Sequence, residues 1–174
     1  TDAELRTTFD RTPSIDVSGS FAGAVLPSVA AVGGSRLALG FHQRFFLEEL
    51  ALGAYGGSGS ASALRWLDLS ALVGYRVYYS SRLRSDFGGV FALSYASLRL
   101  DDGTSEAGGF GVRAAGRVTI DLRVAGRTWL TLGIEPGGVL VDSPPGVRGA
   151  WFGANLGIAY DELLSVSSES PRSQ

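Results

Sequence analysis

Residues 110–124 read FGVRAAGRVTIDLRV, and their period decides the fold. One parity carries Phe110, Val112, Ala114, Gly116, Val118, Ile120, Leu122 and Val124. The other carries Gly111, Arg113, Ala115, Arg117, Thr119, Asp121 and Arg123. A repeat of two is that of a β-strand, whereas a helix would repeat every three to four residues. The stretch therefore predicts one long strand with two chemically different faces.

The same alternation recurs on both sides. Ile15, Val17, Phe21 and Val25 oppose Ser14, Asp16, Ser18 and Ser20. Leu37, Leu39, Phe41 and Phe45 oppose Arg36, Ala38, Gly40, His42 and Arg44. Leu67, Leu69, Val73, Tyr75, Val77 and Tyr79 oppose Asp68, Ser70, Leu72, Gly74, Arg76 and Tyr78. Two further alternating segments lie at 130–135 and 150–160. Segments 50–56 and 87–100 read as strands whose facing the pattern leaves open. The total is eight strands between Ser14 and Tyr160. The odd-numbered connections, at 27–34, 57–63, 101–108 and 143–148, are rich in Gly, Ser or Pro. The even ones, at 46–49, 80–85 and 125–127, are shorter on the whole. This organises the chain as an N-terminal arm (1–13), a barrel (14–160) and a C-terminal tail (161–174), with both termini at the short-turn end.

Composition narrows the class. The chain has 174 residues, enough for one ordinary domain. It is 45% hydrophobic, which argues against disorder. Only 18% of residues are charged, and the net charge of −2 supplies no basic field for nucleic acid. The absence of Cys excludes disulfides and thiolate metal sites, and the single His42 excludes a multi-histidine metal centre. No cofactor is implied. The longest uncharged stretch, 17–35, contains Gly19, Gly23, Pro27, Gly33 and Gly34, which oppose a spanning helix.

The chemistry of the two faces separates a soluble barrel from a membrane one. A soluble barrel hides its large apolar side chains and shows charge outside. A transmembrane barrel inverts this, with an apolar band outward and polar groups within. Here the small and charged residues share one face, too poor in long polar side chains for a soluble exterior. Eight strands enclose a lumen that side chains fill. Aromatics cluster near strand ends: Phe45, Tyr79, Phe87 and Tyr160 toward the short turns, and Tyr55, Trp66, Tyr95, Phe110 and Trp151 toward the long loops. These are expected to form two interfacial girdles.

On strand count, dyad alternation and loop asymmetry, residues 14–160 resemble the eight-stranded outer-membrane barrels, the OmpA transmembrane domain and OmpX-like group. The resemblance implies a closed antiparallel up-and-down barrel in the bacterial outer membrane, contacting outer-membrane lipid. It also implies that Gly153, Leu156, Ile158 and Tyr160 in the last strand address the barrel-insertion machinery. The arm and tail are then candidate contacts for other envelope proteins.

Centring one hairpin on Gly126 places Arg117 opposite Glu135, both on the polar face. A buried Arg needs a partner. The expected interior network is Arg117, Glu135 and Asn155, with Asn155 beside Glu135 and with Asp68, Arg76, Arg113 and Asp121 nearby. His42 raises one enzymatic alternative. Some barrels of this size are lipid A-modifying enzymes that use His with Ser and an acid, which would pair His42 with Ser18 or Ser20 and with Asp16. A soluble lipocalin-like ligand-binding barrel is the other alternative. Asp101, Asp102 and Glu106 read as a solvated loop tip. The expected function is non-enzymatic: a structural or anchoring barrel, or a subunit of an envelope-spanning assembly.

Overall fold

A computed structural model describes residues 3–4, 7, 12–26, 30–59, 62–100, 106–141 and 148–164. It contains eight strands: β1 (Ser14–Leu26), β2 (Ala30–Gln43), β3 (Phe46–Gly59), β4 (Ser62–Tyr78), β5 (Leu83–Leu100), β6 (Glu106–Ala125), β7 (Thr128–Val141) and β8 (Arg148–Leu163). Each pairs antiparallel with its neighbours in sequence, and β8 pairs with β1 to close the barrel. Closure leaves no unpaired sheet edge, as a lipid environment demands. The strand predicted from 110–124 lies within β6, the longest at 20 residues. The register around Arg117 is the expected one, with Val118 opposite Ile134 and Ala115 opposite Gly137.

Several boundaries differ from the sequence reading. Residues 46–49 are not a turn, because β3 begins at Phe46, which pairs with Gln43 across Arg44 and Phe45. Arg44 takes a positive φ of 58°, the left-handed geometry a tight two-residue connection demands. Its polar neighbours Glu48 and Glu49 mimic a turn in composition. Likewise β5 begins at Leu83, inside the segment assigned to a turn. There Ser80 Oγ accepts from the backbone N–H groups of Arg82 and Leu83, each at 3.1 Å. Strand β8 runs three residues past Tyr160, so Asp161 belongs to the barrel rather than to a tail. Leu164 N–H donates to Pro13 O at 2.8 Å, tying the two ends together. Most of the predicted arm, the tail from 165 onward, and Asp101 and Asp102 lie outside the described residues.

The large apolar side chains point outward. Val17, Phe21, Leu37, Leu52, Leu69, Phe91, Ile120, Leu132 and Ile158 are all exposed. The two strands of undecided facing obey the same rule, with Leu50 and Leu52 on β3 and Phe91 and Leu93 on β5 turned out. Among the described residues, outward charges occur only toward the strand ends: Glu48 and Glu162 at the short-turn end, and Arg65, Arg99 and Arg148 at the long-loop end. The uncharged belt between them is the surface that hydrocarbon requires.

Candidate functional site

With the exterior given to apolar side chains, the chemistry lies in the lumen. It is stacked in layers from the long-loop end to the short-turn end.

The first layer is apolar. Leu26, Val32, Tyr55, Leu64, Trp66, Val139, Val141 and Trp151 pack together inside the mouth. Trp66 and Trp151 belong to this layer and not to the outer girdle that their place near the strand ends predicts. They are 0% and 2% exposed, with ring centroids 5.6 Å apart inside the barrel. Tyr55 joins them, edge-to-face with Trp151 at 6.3 Å. The reason is parity: Trp66 shares its face with Asp68, and Nε1 of the indole donates to Asp68 Oδ1 at 2.5 Å. The remaining girdle candidates, Phe45, Tyr79, Phe87, Tyr95, Phe110 and Tyr160, face outward. Tyr95 and Phe110 lie 5.0 Å apart on neighbouring strands.

Below comes an ionic layer. Arg113 Nε and Nη2 donate to Asp68 Oδ2 at 3.1 and 2.7 Å, and its Nη1 pairs with Glu135 Oε1. Ser94 Oγ donates to Asp68 Oδ1 at 2.6 Å. Arg117 donates from Nε and Nη2 to Glu135 Oε2 at 2.8 and 2.6 Å, and from Nη1 to Glu49 Oε1 at 2.6 Å. Arg36 Nη2 reaches the same Glu49 oxygen. The Arg113 guanidinium carbon lies 4.6 Å above the Trp151 ring. Three guanidiniums meet three carboxylates, so burial strands no charge.

Asn155 does not sit beside Glu135 as expected. The β7–β8 register sets Glu135 opposite Gly153 and Asn155 opposite Gly133. The Asn155 amide lies over Gly133, where a Cβ would come within 2.8 Å of its Nδ2.

Leu47, Leu72 and Val90, on the neighbouring strands β3, β4 and β5, form a small apolar cluster on one wall of the lumen. Toward the turns lies the second ionic layer. Arg76 grips Asp86 with two parallel bonds, Nε to Oδ1 at 2.7 Å and Nη2 to Oδ2 at 2.8 Å, and donates from Nη1 to Asp16 Oδ2 at 2.7 Å. Arg84 Nε donates to Asp121 Oδ2 at 2.7 Å, and its Nη1 pairs with Asp161 Oδ2. The Arg84 guanidinium carbon is 4.2 Å from the centre of the Trp129 ring, which closes the short-turn mouth with Tyr78 and Ala159. Each ionic layer is thus lidded by a tryptophan stacked on one of its arginines.

The seven predicted interior residues therefore divide. Asp68, Arg113, Arg117 and Glu135 share the first ionic layer, and Arg76 and Asp121 the second. Asn155 lies against a chamber between them. Sequence reasoning missed Asp16, Arg36, Glu49, Arg84, Asp86 and Asp161 as members of these layers. Extending the two-residue parity past the assumed turns would have found Glu49, Arg84, Asp86 and Asp161.

His42 is buried at the short-turn end, opposite Ser14 and 5.8 Å from the Tyr78 ring. The proposed triad is not assembled. Asp16 lies opposite Gly40, Ser18 opposite Ala38 and Ser20 opposite Arg36. Neither imidazole nitrogen has a hydrogen-bond partner among the described residues.

No protein-family model and no curated protein sequence matches the chain. Solved structures do. Neisserial surface protein A superposes with a TM-score of 0.62 at 16% identity, covering 87% of this chain and 97% of that one. Ail, the attachment invasion locus protein of Yersinia pestis, gives 0.60 at 8% identity over 87% and 99%. A major outer membrane protein of Thermus thermophilus gives 0.56 at 11% identity over 87% and 100%.

The fold is that of the eight-stranded outer-membrane β-barrels. Such identities carry the architecture alone. The uncharged outward belt adds that this barrel spans a membrane, and closed barrels of this kind belong to outer membranes.

Proposed function

We propose that this outer-membrane barrel is a closed structural element, an anchor or a subunit of an envelope-spanning assembly, rather than a pore or an enzyme. The observation that carries the reading is the filled lumen. Two ion-pair layers, a leucine–valine cluster and tryptophan lids at both mouths occupy the path a solute would take. Its partners on this reading are outer-membrane lipid along the belt, the barrel-insertion machinery at β8, and envelope proteins reached through the arm or tail.

Conductance in planar bilayers tests it: the refolded barrel should give no stable channel steps, and a well-defined unitary conductance would refute closure. Cross-linking and co-purification from native membranes should recover an envelope protein, while a barrel recovered alone would remove the assembly reading. The lipid A-modifying alternative is disfavoured because His42 is buried and neither of its ring nitrogens has a hydrogen-bond partner among the described residues. Deacylation and palmitoyl-transfer assays with His42→Ala as control test that point. A soluble ligand-binding barrel is disfavoured by the outward belt, and a detergent-free soluble monomer would favour it.

A further inference from the structure

We infer that the outward face of β3, β4 and β5 at the long-loop end binds a membrane lipid bearing a phosphate monoester, with Arg65 on the phosphate and an acyl chain in the groove beneath it. The pairing registers stack this face in rungs. One rung is Leu37, Leu52, Leu69 and Leu93. The next toward the loops is Ser35, Ala54, Leu67, Tyr95 and Phe110. Around the small Ser35 and Ala54, between the larger side chains of these two rungs, runs an open apolar groove of about 650 Å³. That is the size of a ligand cleft. The rung above is Gly33, Gly56, Arg65, Ser97 and Gly108. Arg65 is the one long side chain of that rung, and it stands one step above the head of the groove. A Cβ added at Gly33 or Gly56 would meet nothing within 4 Å, so the floor beside the arginine is open.

Charge and depth name the occupant. Arg65 is exposed and has no ion pair or hydrogen bond among the described residues. Its register neighbours Gly56 and Ser97 carry no charge. Arg99, one rung further up, is set opposite Glu106, so the argument rests on Arg65. The rings of Tyr95 and Phe110, one rung below Arg65, lie 5.0 Å apart on the outward face. Such aromatics sit at headgroup level, and a guanidinium just above them meets lipid phosphate. The Tyr95 hydroxyl lies over Gly108, where an added Cβ would come within 2.3 Å of it. It therefore stands in the arginine's own rung as a second donor. A guanidinium fork and a phenol together suit a terminal phosphate with three free oxygens better than a diester shielded by choline. The acyl chain then continues down the leucine rungs, where apolar contact adds to the ionic one. The inference deepens the reading of outer-membrane lipid as a partner and rests on it.

The test is native mass spectrometry of the refolded barrel in detergent micelles carrying equal amounts of phosphatidic acid, the monoester probe, and phosphatidylcholine. The expected result is one phosphatidic acid retained per barrel in preference to phosphatidylcholine, and not displaced by millimolar inorganic phosphate. Arg65→Gln, an exposed change that leaves the fold intact, should lower that retention about fivefold, the worth of one arginine at an anionic lipid surface. Tyr95→Phe keeps the ring and should lower it less. Arg148→Gln, outward at the same end but on β8, should leave it unchanged. Equal retention of the two lipids, displacement by inorganic phosphate, or a loss in Arg148→Gln as large as in Arg65→Gln overturns the assignment. A barrel that needs detergent yet gives one of these results loses the site and keeps its membrane reading, whereas a barrel soluble without detergent loses both.

Discussion

Arg117 places two of its donors on one oxygen of Glu135, at 2.8 and 2.6 Å, while Arg113 takes the other oxygen. Glu135 is thus the shared anion of two buried guanidiniums. Replacing it by Gln leaves both arginines short of charge in a water-poor layer. The expected cost is about 3–5 kcal/mol, the range for breaking a buried pair from one side. Urea unfolding in detergent or bilayer vesicles measures it. Glu162→Gln is the control. Glu162 pairs with Arg127 at 2.9 Å in an exposed position, and its removal should change stability by less than about 1 kcal/mol. Equal effects of the two substitutions would contradict the layered interior.

Trp129 closes the short-turn mouth beneath Arg84. Trp129→Ala should cost about 3–5 kcal/mol through lost packing. Trp129→Phe keeps an aromatic face for the guanidinium and should recover most of that loss. The two variants differ in indole content from the parent, so unfolding is followed by gel migration rather than by fluorescence. A Phe variant as unstable as the Ala one would show that the aromatic face contributes nothing.

How far these layers could be read in advance depended on whether a residue lay inside a recognised alternation. Arg117 and Glu135 flank a hairpin whose apex at Gly126 is plain, so their pairing followed from register alone. Arg84 and Asp86 belong to the same kind of pattern, but Ser80, Ser81 and Ser85 look like turn residues and hid the start of β5. Glu49 was hidden similarly by Glu48, because two adjacent acids read as loop even though one faces in and one out. Trp66 and Trp151 were misplaced for a different reason. Interfacial enrichment of tryptophan competed with parity, and parity prevailed because each indole had an interior partner. The chamber had no signature, since it arises where strands distant in sequence meet around residues that are individually ordinary.

Glycines separate into two kinds on physical grounds. A Cβ on Gly74 would lie 2.0 Å from Phe87 O and 2.6 Å from Gly88 Cα, both backbone atoms that cannot step aside. Gly74→Ala should therefore displace β5 from β4 and cost about 1–3 kcal/mol. A Cβ on Gly89 would meet nothing within 4 Å. Gly89→Ala should be neutral or stabilise by about 0.4–1 kcal/mol through the unfolded chain. Refolding yield and urea midpoint distinguish the pair, and a reversed order would contradict the β4–β5 geometry.

The orientation of the whole barrel rests on one asymmetry that a single substitution can probe. Leu132 is 58% exposed on β7, flanked on the same face by Leu130 and Ile134, and it lies opposite Leu156 of β8. If this face meets hydrocarbon, Leu132→Arg places a guanidinium near mid-belt and should cost about 2–4 kcal/mol. The same change at Ala150, near the long-loop end beside Arg148, should cost no more than about 1 kcal/mol because water and headgroups are within reach. Unfolding of both variants in lipid vesicles measures the depth dependence directly. In a soluble barrel the order would vanish, since an arginine at either outward position would simply be solvated, and Leu132→Arg would improve solubility without detergent. A cost that grows from Ala150 to Leu132 follows only if the alternation first read at residues 110–124 faces lipid on its apolar side.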